Sequence, residues 1–184
     1  MAKLNIQRAC QSLKQGNVIA YPTEAVWGLG CDPQNEAAVG KILRLKNRPV
    51  HKGLILVSGS IAQFEPLLNK LSREQRDKLI ASWPGHITWL VPDSDNLTPE
   101  WIKGDHQSVA IRVSGHTIVQ ELCSTFGGPI VSTSANEAGK EEIKSRFILE
   151  DKFADKIAGI VDGDLGKSAK PSEIRDLLSG RVIR

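Results

Sequence analysis

Short apolar runs alternate with amphipathic stretches along this chain. Ile6, Ala9, Cys10 and Leu13 recur at helical spacing, and Gly16 stops the pattern. Val18-Ile19-Ala20-Tyr21 is a continuous apolar run cut off by Pro22, which reads as a buried strand. Asn35 caps a predicted helix with Val39, Ile42, Leu43 and Leu45 on its apolar side, and Pro49 lies just past its end. Residues 54–57 predict another short strand. Ser72-Arg73-Glu74-Gln75 has the form of a capping box that opens a helix toward Trp83. Residues 87–91 and 109–113 read as strands, and 116–126 as a helix stopped by Gly127-Gly128. Pro129-Ile130-Val131 then leads into Ser132-Thr133-Ser134-Ala135-Asn136. Residues 157–161 and a final pair, 172–177 and 181–183 joined at Ser179-Gly180, complete the series. Helices alternating with continuous apolar strands predict an α/β fold: a twisted, mixed, open sheet with flanking helices.

Composition narrows the picture little. The chain has 184 residues, 40% hydrophobic and 24% charged, with a formal net charge of +3. That suits one domain over residues 1–184 and permits, without demanding, contact with phosphates. No apolar run reaches the ~18 residues of a membrane span, and the first residues turn polar too early for a signal peptide. Cys10, Cys31 and Cys123 are odd in number and far apart, which favours reduced thiols and a cytoplasmic setting.

In open α/β sheets ligands bind beyond the strand ends, so the candidate chemistry is sought there. Past the first strand stand Pro22, Thr23 and Glu24, followed by Gly28 and Gly30. The segment reads either as a Gly-containing turn capped by Thr23 or as a ligand loop. It is neither a dinucleotide fingerprint nor a phosphate-binding GxxxxGK[ST] loop. Lys46, Arg48 and Lys52 fall within seven residues. They suit a helix C-terminus, and they equally suit anion capture, with Arg as a fork and Lys as a point charge. Arg112 interrupts the apolar Ala110-Ile111-Val113 run, where a charge needs a partner: an ion pair or a bound anion. Lys167, Lys170 and Ser172 form another polar turn. The four histidines lack metal-ligand spacing, and the four tryptophans read as packing anchors.

Five segments in fixed order resemble the YrdC family. They are Tyr21-Pro22-Thr23-Glu24, Lys46-x-Arg48-Pro49, Ala110-Ile111-Arg112-Val113, Ser132-Thr133-Ser134-Ala135-Asn136 and Pro171-Ser172-x-Ile174. The likeness covers nearly the whole chain and is nearest to the short, single-domain bacterial threonylcarbamoyl-AMP synthases. It implies a twisted α/β sheet with a concave, positively charged groove. It also implies synthesis of threonylcarbamoyl-adenylate and pyrophosphate from L-threonine, bicarbonate and ATP. The downstream partners would be tRNA and a separate threonylcarbamoyl transferase complex, which modifies N6 of the adenosine beside the anticodon. On that resemblance Lys46 and Arg48 are the catalytic pair. Thr23, Lys52 and Arg112 would bind threonine, and Thr133, Ser134, Asn136 and Ser172 the nucleotide. Mg²⁺ is expected with ATP, with no dedicated protein metal site, no prosthetic group and no membrane association. The family often has Thr and Tyr where Ala25 and Trp27 stand here, and Trp27 is expected to keep a wall of the pocket.

Two other readings stay open. One is an RNA maturation factor using a basic groove without chemistry. The other is a hydrolase with Ser132 or Ser134 as nucleophile, although no GxSxG elbow is present.

Overall fold

The apolar runs pair into one nine-stranded sheet in the computed structural model, which describes residues 1–184. The strands are β1 (Lys3–Leu4), β2 (Ile19–Pro22), β3 (Trp27–Gly30), β4 (Ile55–Ser58), β5 (Ile87–Pro92), β6 (Ser108–Val113), β7 (Ile130–Ser134), β8 (Ile160–Val161) and β9 (Glu173–Asp176). Their order is β1-β8-β2-β3-β7-β4-β6-β5-β9. Parallel pairs (such as β4 with β6 and β5 with β9) occur together with antiparallel ones (such as β2 with β3, β4 with β7 and β5 with β6), so the sheet is mixed. Seven helices flank it: α1 (Ile6–Lys14), α2 (Glu36–Lys46), α3 (Glu65–Leu68), α4 (Arg73–Ser82), α5 (Glu100–Lys103), α6 (Thr117–Phe126) and α7 (Arg146–Phe153).

Local chemistry sets the helix ends. Asn5 and Asn35 accept from the backbone N–H groups of Arg8 and Ala38 and so start α1 and α2. Ser72 and Gln75 exchange the two bonds of the expected capping box at α4. Asn47 ends α2 in the left-handed conformation, φ 48°.

Alternation along the strands divides the core in two. Val18, Ala20, Leu29, Leu56, Ile111 and Val131 point to the face covered by α2, α4 and α7. Ile19, Tyr21, Val57 and Ile130 point to the other, where α1 and α6 pack through Cys10, Leu13, Val119 and Leu122. These two helices cover only part of that second face. On β7, Ile130 lies beneath them, while Ser132 and Ser134 occupy the same face beyond their reach. Register carries this uncovered row across the sheet: Gly28 opposite Ser134, Ser132 opposite Ile55, Ile55 opposite Ala110, and Ala110 opposite Leu90.

Three expectations change. Residues 27–30 are a strand and not part of a turn; the turn is confined to residues 23–26, closed by Thr23 N–H and hydroxyl donating to Val26 O. The expected strand at 181–183 reduces to a single bridge, Arg175 with Val182. Helix α7 is unpredicted: of its four apolar residues only Leu149 and Phe153 are buried, while Phe147 and Ile148 are exposed and blur the helical pattern.

Gly28 and Gly30 serve close approach and not backbone freedom. A Cβ on Gly30 would lie 2.7 Å from the Tyr21 ring and 2.8 Å from Val131 O, so the tyrosine lies flat across the strand only because glycine is there. Gly30→Ala is therefore expected to destabilise the protein by about 1–3 kcal/mol through overpacking. Denaturant unfolding should show a lower midpoint with an unchanged slope.

Candidate active site

The uncovered part of the sheet face forms two adjoining cavities. The smaller, about 80 Å³, is lined by Thr23, Ala25, Val26, His86, Arg112, Ser132 and Ser172, among others. The larger, about 610 Å³, is lined by Lys46, Arg48, Lys52, Lys103, His106, Asn136, Lys140 and Glu142, with Leu90 and Ile174 on its floor. Ile55, Thr133, Ser134 and Arg184 belong to both, so the end of β7 is the partition between them.

Lys46 holds that partition in place. It is the last residue of α2 and is buried, and its ammonium donates to Ser134 O (2.6 Å), Asn136 O (2.7 Å) and Asn136 Oδ1 (3.1 Å). Its own carbonyl accepts from Ala138 N–H at 2.8 Å. Burial, with Arg48 beside it, pushes the Lys46 ammonium down to about 8, although Glu142 acts in the opposite sense. Asn136 completes the knot. Its Oδ1 accepts from Ser134 Oγ at 2.6 Å, and its Nδ2 donates to Lys140 O. The Lys-x-Arg and Ser-x-Asn segments are thus one hydrogen-bonded unit, brought together across 88 residues of sequence.

Arg48 closes the following loop. Nε and Nη2 donate to Gly53 O (3.0 and 2.8 Å) and Nη2 to Lys52 O (3.0 Å), while Nη1 meets no protein acceptor. Six cationic side chains and one carboxylate line the larger cavity, which makes it suited to a polyanion.

The smaller cavity is different. Arg112 Nη2 donates to Glu24 Oε2 at 3.0 Å, and Glu24 Oε1 accepts from Ser114 Oγ (2.7 Å) and Gly115 N–H (3.2 Å). Burial opposes the Glu24 charge, but the Arg112 guanidinium and the Ser114 hydroxyl outweigh it and hold the carboxyl below the usual range. Ser172 Oγ shares a hydrogen bond with the buried Thr88 hydroxyl at 2.8 Å. Thr23 O and Glu24 O accept from Gly166 and Ser168 N–H, both at 2.9 Å, and so dock residues 163–170 against the same turn.

The nine expected site residues therefore converge on one cleft, in a different grouping. Lys52 joins Lys46 and Arg48 at the larger cavity, away from Thr23 and Arg112. Ser172 joins Thr23 and Arg112 at the smaller one. Thr133 is shared. Trp27 lines neither cavity: its ring is buried on the opposite face and its indole N–H donates to Lys144 O. Glu24, Arg184, His86 and Lys103 were missing from the expected set. A buried strand arginine needs a carboxylate, and Glu24 beside Thr23 was the available signal; nothing in the sequence pointed to Arg184. Ser134 Oγ donates to Asn136 and has no histidine partner, which leaves no activated serine nucleophile.

A mixed α/β sheet with a polyanion chamber beside a small charge-balanced one defines a class of ligand-binding α/β protein, and comparison narrows it. The family model Sua5/YciO/YrdC, described as "Telomere recombination", matches residues 11–184. Proteins named threonylcarbamoyl-AMP synthase match nearly end to end. The one from Pseudomonas savastanoi pv. phaseolicola is 50% identical, covering 97% of this chain and 96% of its own. The one from Saccharophagus degradans is 53% identical, covering 97% and 93%. Among solved structures, P. abyssi Sua5 complexed with L-threonine superposes with a TM-score of 0.87 at 31% identity over 96% of this chain, which spans only 54% of that longer protein. E. coli YciO, at 23% identity and TM-score 0.86, shares the fold. The chain belongs to the Sua5/YciO/YrdC family.

Replacing Lys46 with Met would leave the Asn136 carbonyl without a donor and the Ser134 carbonyl with only the Asn136 N–H. The expected cost is about 1–3 kcal/mol, borne locally. Hydrogen exchange should accelerate at residues 135–140 while α1 and α6 keep their protection.

Proposed function

We propose that this protein is a threonylcarbamoyl-AMP synthase, joining L-threonine, bicarbonate and ATP into threonylcarbamoyl-adenylate with release of pyrophosphate and water. The observation that carries this reading is the pair of adjoining cavities that share the end of β7, one small and built around the Arg112–Glu24 pair, the other cationic and large enough for a nucleotide. Relatives of that name at about 50% identity over the whole length support it.

In this mechanism threonine occupies the smaller cavity, its carboxylate on the free N–H groups of Arg112 and its hydroxyl among Thr23, Ser132 and Ser172. The triphosphate lies along Lys46, Arg48, Lys52 and Arg184, with Thr133, Ser134 and Asn136 between the two substrates. The threonine amine takes up bicarbonate to give a carbamate. A carbamate oxygen then attacks the α-phosphorus, and the bond to pyrophosphate breaks. The protein's contribution is positioning and charge stabilisation, so no covalent intermediate on a side chain is required. The structure brings no three His, Cys, Asp or Glu side chains together as a metal cage. Magnesium is expected to enter with the triphosphate, where it would neutralise charge on the departing pyrophosphate.

The product is an activated acyl-adenylate, to be consumed by a separate transferase acting on tRNA in the cytoplasm. No helix of the chain is long and apolar enough to cross a membrane. An RNA-binding role without chemistry would leave the smaller cavity unused.

Purified protein given threonine, bicarbonate, Mg²⁺ and ATP is expected to release pyrophosphate only when threonine is present; threonine-independent release would refute the assignment. Lys46→Ala and Arg48→Ala should each lower turnover at least tenfold, about 1.4 kcal/mol or more of transition-state stabilisation. The pH profile has a definite sign. Lys46 must be charged to hold all three oxygens, and its proton is lost as pH rises through about 8. A profile of kcat/KM in the free enzyme should therefore fall on the alkaline side from about pH 8.

A further inference from the structure

The two cavities carry opposite electrostatic designs. The larger sets six cationic side chains against Glu142, and only Lys103 among the six has a further buried carboxylate beside it, Asp93 at 3.6 Å. The smaller has two arginines in its wall: Arg184, shared with the larger cavity, donates to Ser172 O at 3.2 Å, whereas the Arg112 guanidinium is already 3.0 Å from Glu24, which stands behind the lining. Glu24 is itself immobilised, with Ser114 Oγ at 2.7 Å and Gly115 N–H at 3.2 Å on its other oxygen, and its backbone carbonyl held by Ser168 N–H. One edge of the arginine fork is thus spent on the protein, and the remaining N–H groups face the cavity.

The chemical consequence is selective. A lone buried arginine is a phosphate site, because it attracts a dianion more strongly than a monoanion. An arginine balanced by a fixed carboxylate presents the same donors with almost no net charge. It then recognises a group by hydrogen-bond geometry. A carboxylate that arrives on an amino acid fits the Arg112 donors, whereas a phosphate gains little extra attraction from a guanidinium whose charge Glu24 already offsets.

We propose that Glu24 is the specificity-determining and positioning residue of the smaller cavity: by balancing Arg112 and fixing its guanidinium, it reserves that cavity for an amino-acid carboxylate and confines phosphate groups to the larger one. This rests on the synthase reading above and adds a discrimination that the reading does not itself require. Two substrates of one reaction both carry anions, and adjoining cavities that differed only in size would let the phosphates occupy either.

Inorganic phosphate is the probe. In the wild-type protein, followed by pyrophosphate release, phosphate should compete with ATP and not with threonine. In Glu24→Gln, which removes the charge and keeps the shape, phosphate should become competitive with threonine. The ratio of the phosphate inhibition constant to the threonine KM should fall about tenfold or more, the scale of losing one buried charged partner. Glu24→Asp, retaining the charge, should keep the wild-type inhibition pattern. Competition between phosphate and threonine in the wild-type protein would overturn the proposal even if Glu24→Gln did not fold. An unchanged pattern in a folded Glu24→Gln would overturn it too. Wild-type protein without threonine-dependent release would instead remove the synthase reading, and this inference with it.

Discussion

A single ammonium ties the cleft together. Lys46 ends α2 on one side of the sheet and reaches the exit of β7, where three oxygens converge on it. Burying an ammonium is costly unless its donors are met, and here all three N–H groups have an acceptor. The bargain is reciprocal. At the end of β7 the Asn136 carbonyl would otherwise have no donor, and the Ser134 carbonyl only the Asn136 N–H at 2.9 Å. The helix end, the strand end and the loop to Lys140 are therefore one object, and the residues between the two cavities inherit its stiffness.

That object stands where it does because the covering helices stop short. α1 and α6 fill the face over Tyr21, Val57 and Ile130 and leave the next residues of the same rows bare. On β7 the composition changes at that boundary, from Ile130 to Ser132 and Ser134. On β6, Arg112 lies opposite Val57, one row nearer the helices, and its charge is matched by Glu24 from the β2–β3 turn. Polar residues in these strands are thus a continuation of the inward-facing pattern past the edge of the apolar cover, and not an interruption of it.

This explains what could be read in the sequence. Strands with continuous apolar runs, the Asn35 cap and the Ser72 capping box announce themselves locally, and so do the charged and hydroxyl segments at strand ends. Their grouping does not. Lys52 lines the larger cavity with Lys46 and Arg48, and Ser172 the smaller one with Thr23 and Arg112, because grouping depends on which side of β7 a residue approaches, a property of sheet order. Residues 27–30 were hidden as a strand because Gly28 and Gly30 look like turn residues. Their meaning lies in the Tyr21 ring that covers them, which only the pairing of β2 with β3 reveals. Arg184 reaches the cleft through pairing with Ile174, a contact with no local signal.

The shared partition also bears on the chemistry. A carbamate formed from an amine and bicarbonate loses its carbon dioxide readily in water, so an enzyme that uses one must bring it to phosphorus without releasing it. Two separate sites would fail at that step, and one undivided site would let phosphate and carboxylate exchange places. Cavities that meet at Ile55, Thr133 and Ser134 avoid both outcomes. In the proposed mechanism the carbamate need only turn toward the strand end to find the α-phosphorus, over a wall that Lys46 holds through three hydrogen bonds. Rate enhancement by positioning requires this kind of rigidity. It accounts for both principal charges of the cleft being spent largely on the protein itself: Lys46 on the β7 exit, Arg112 on Glu24.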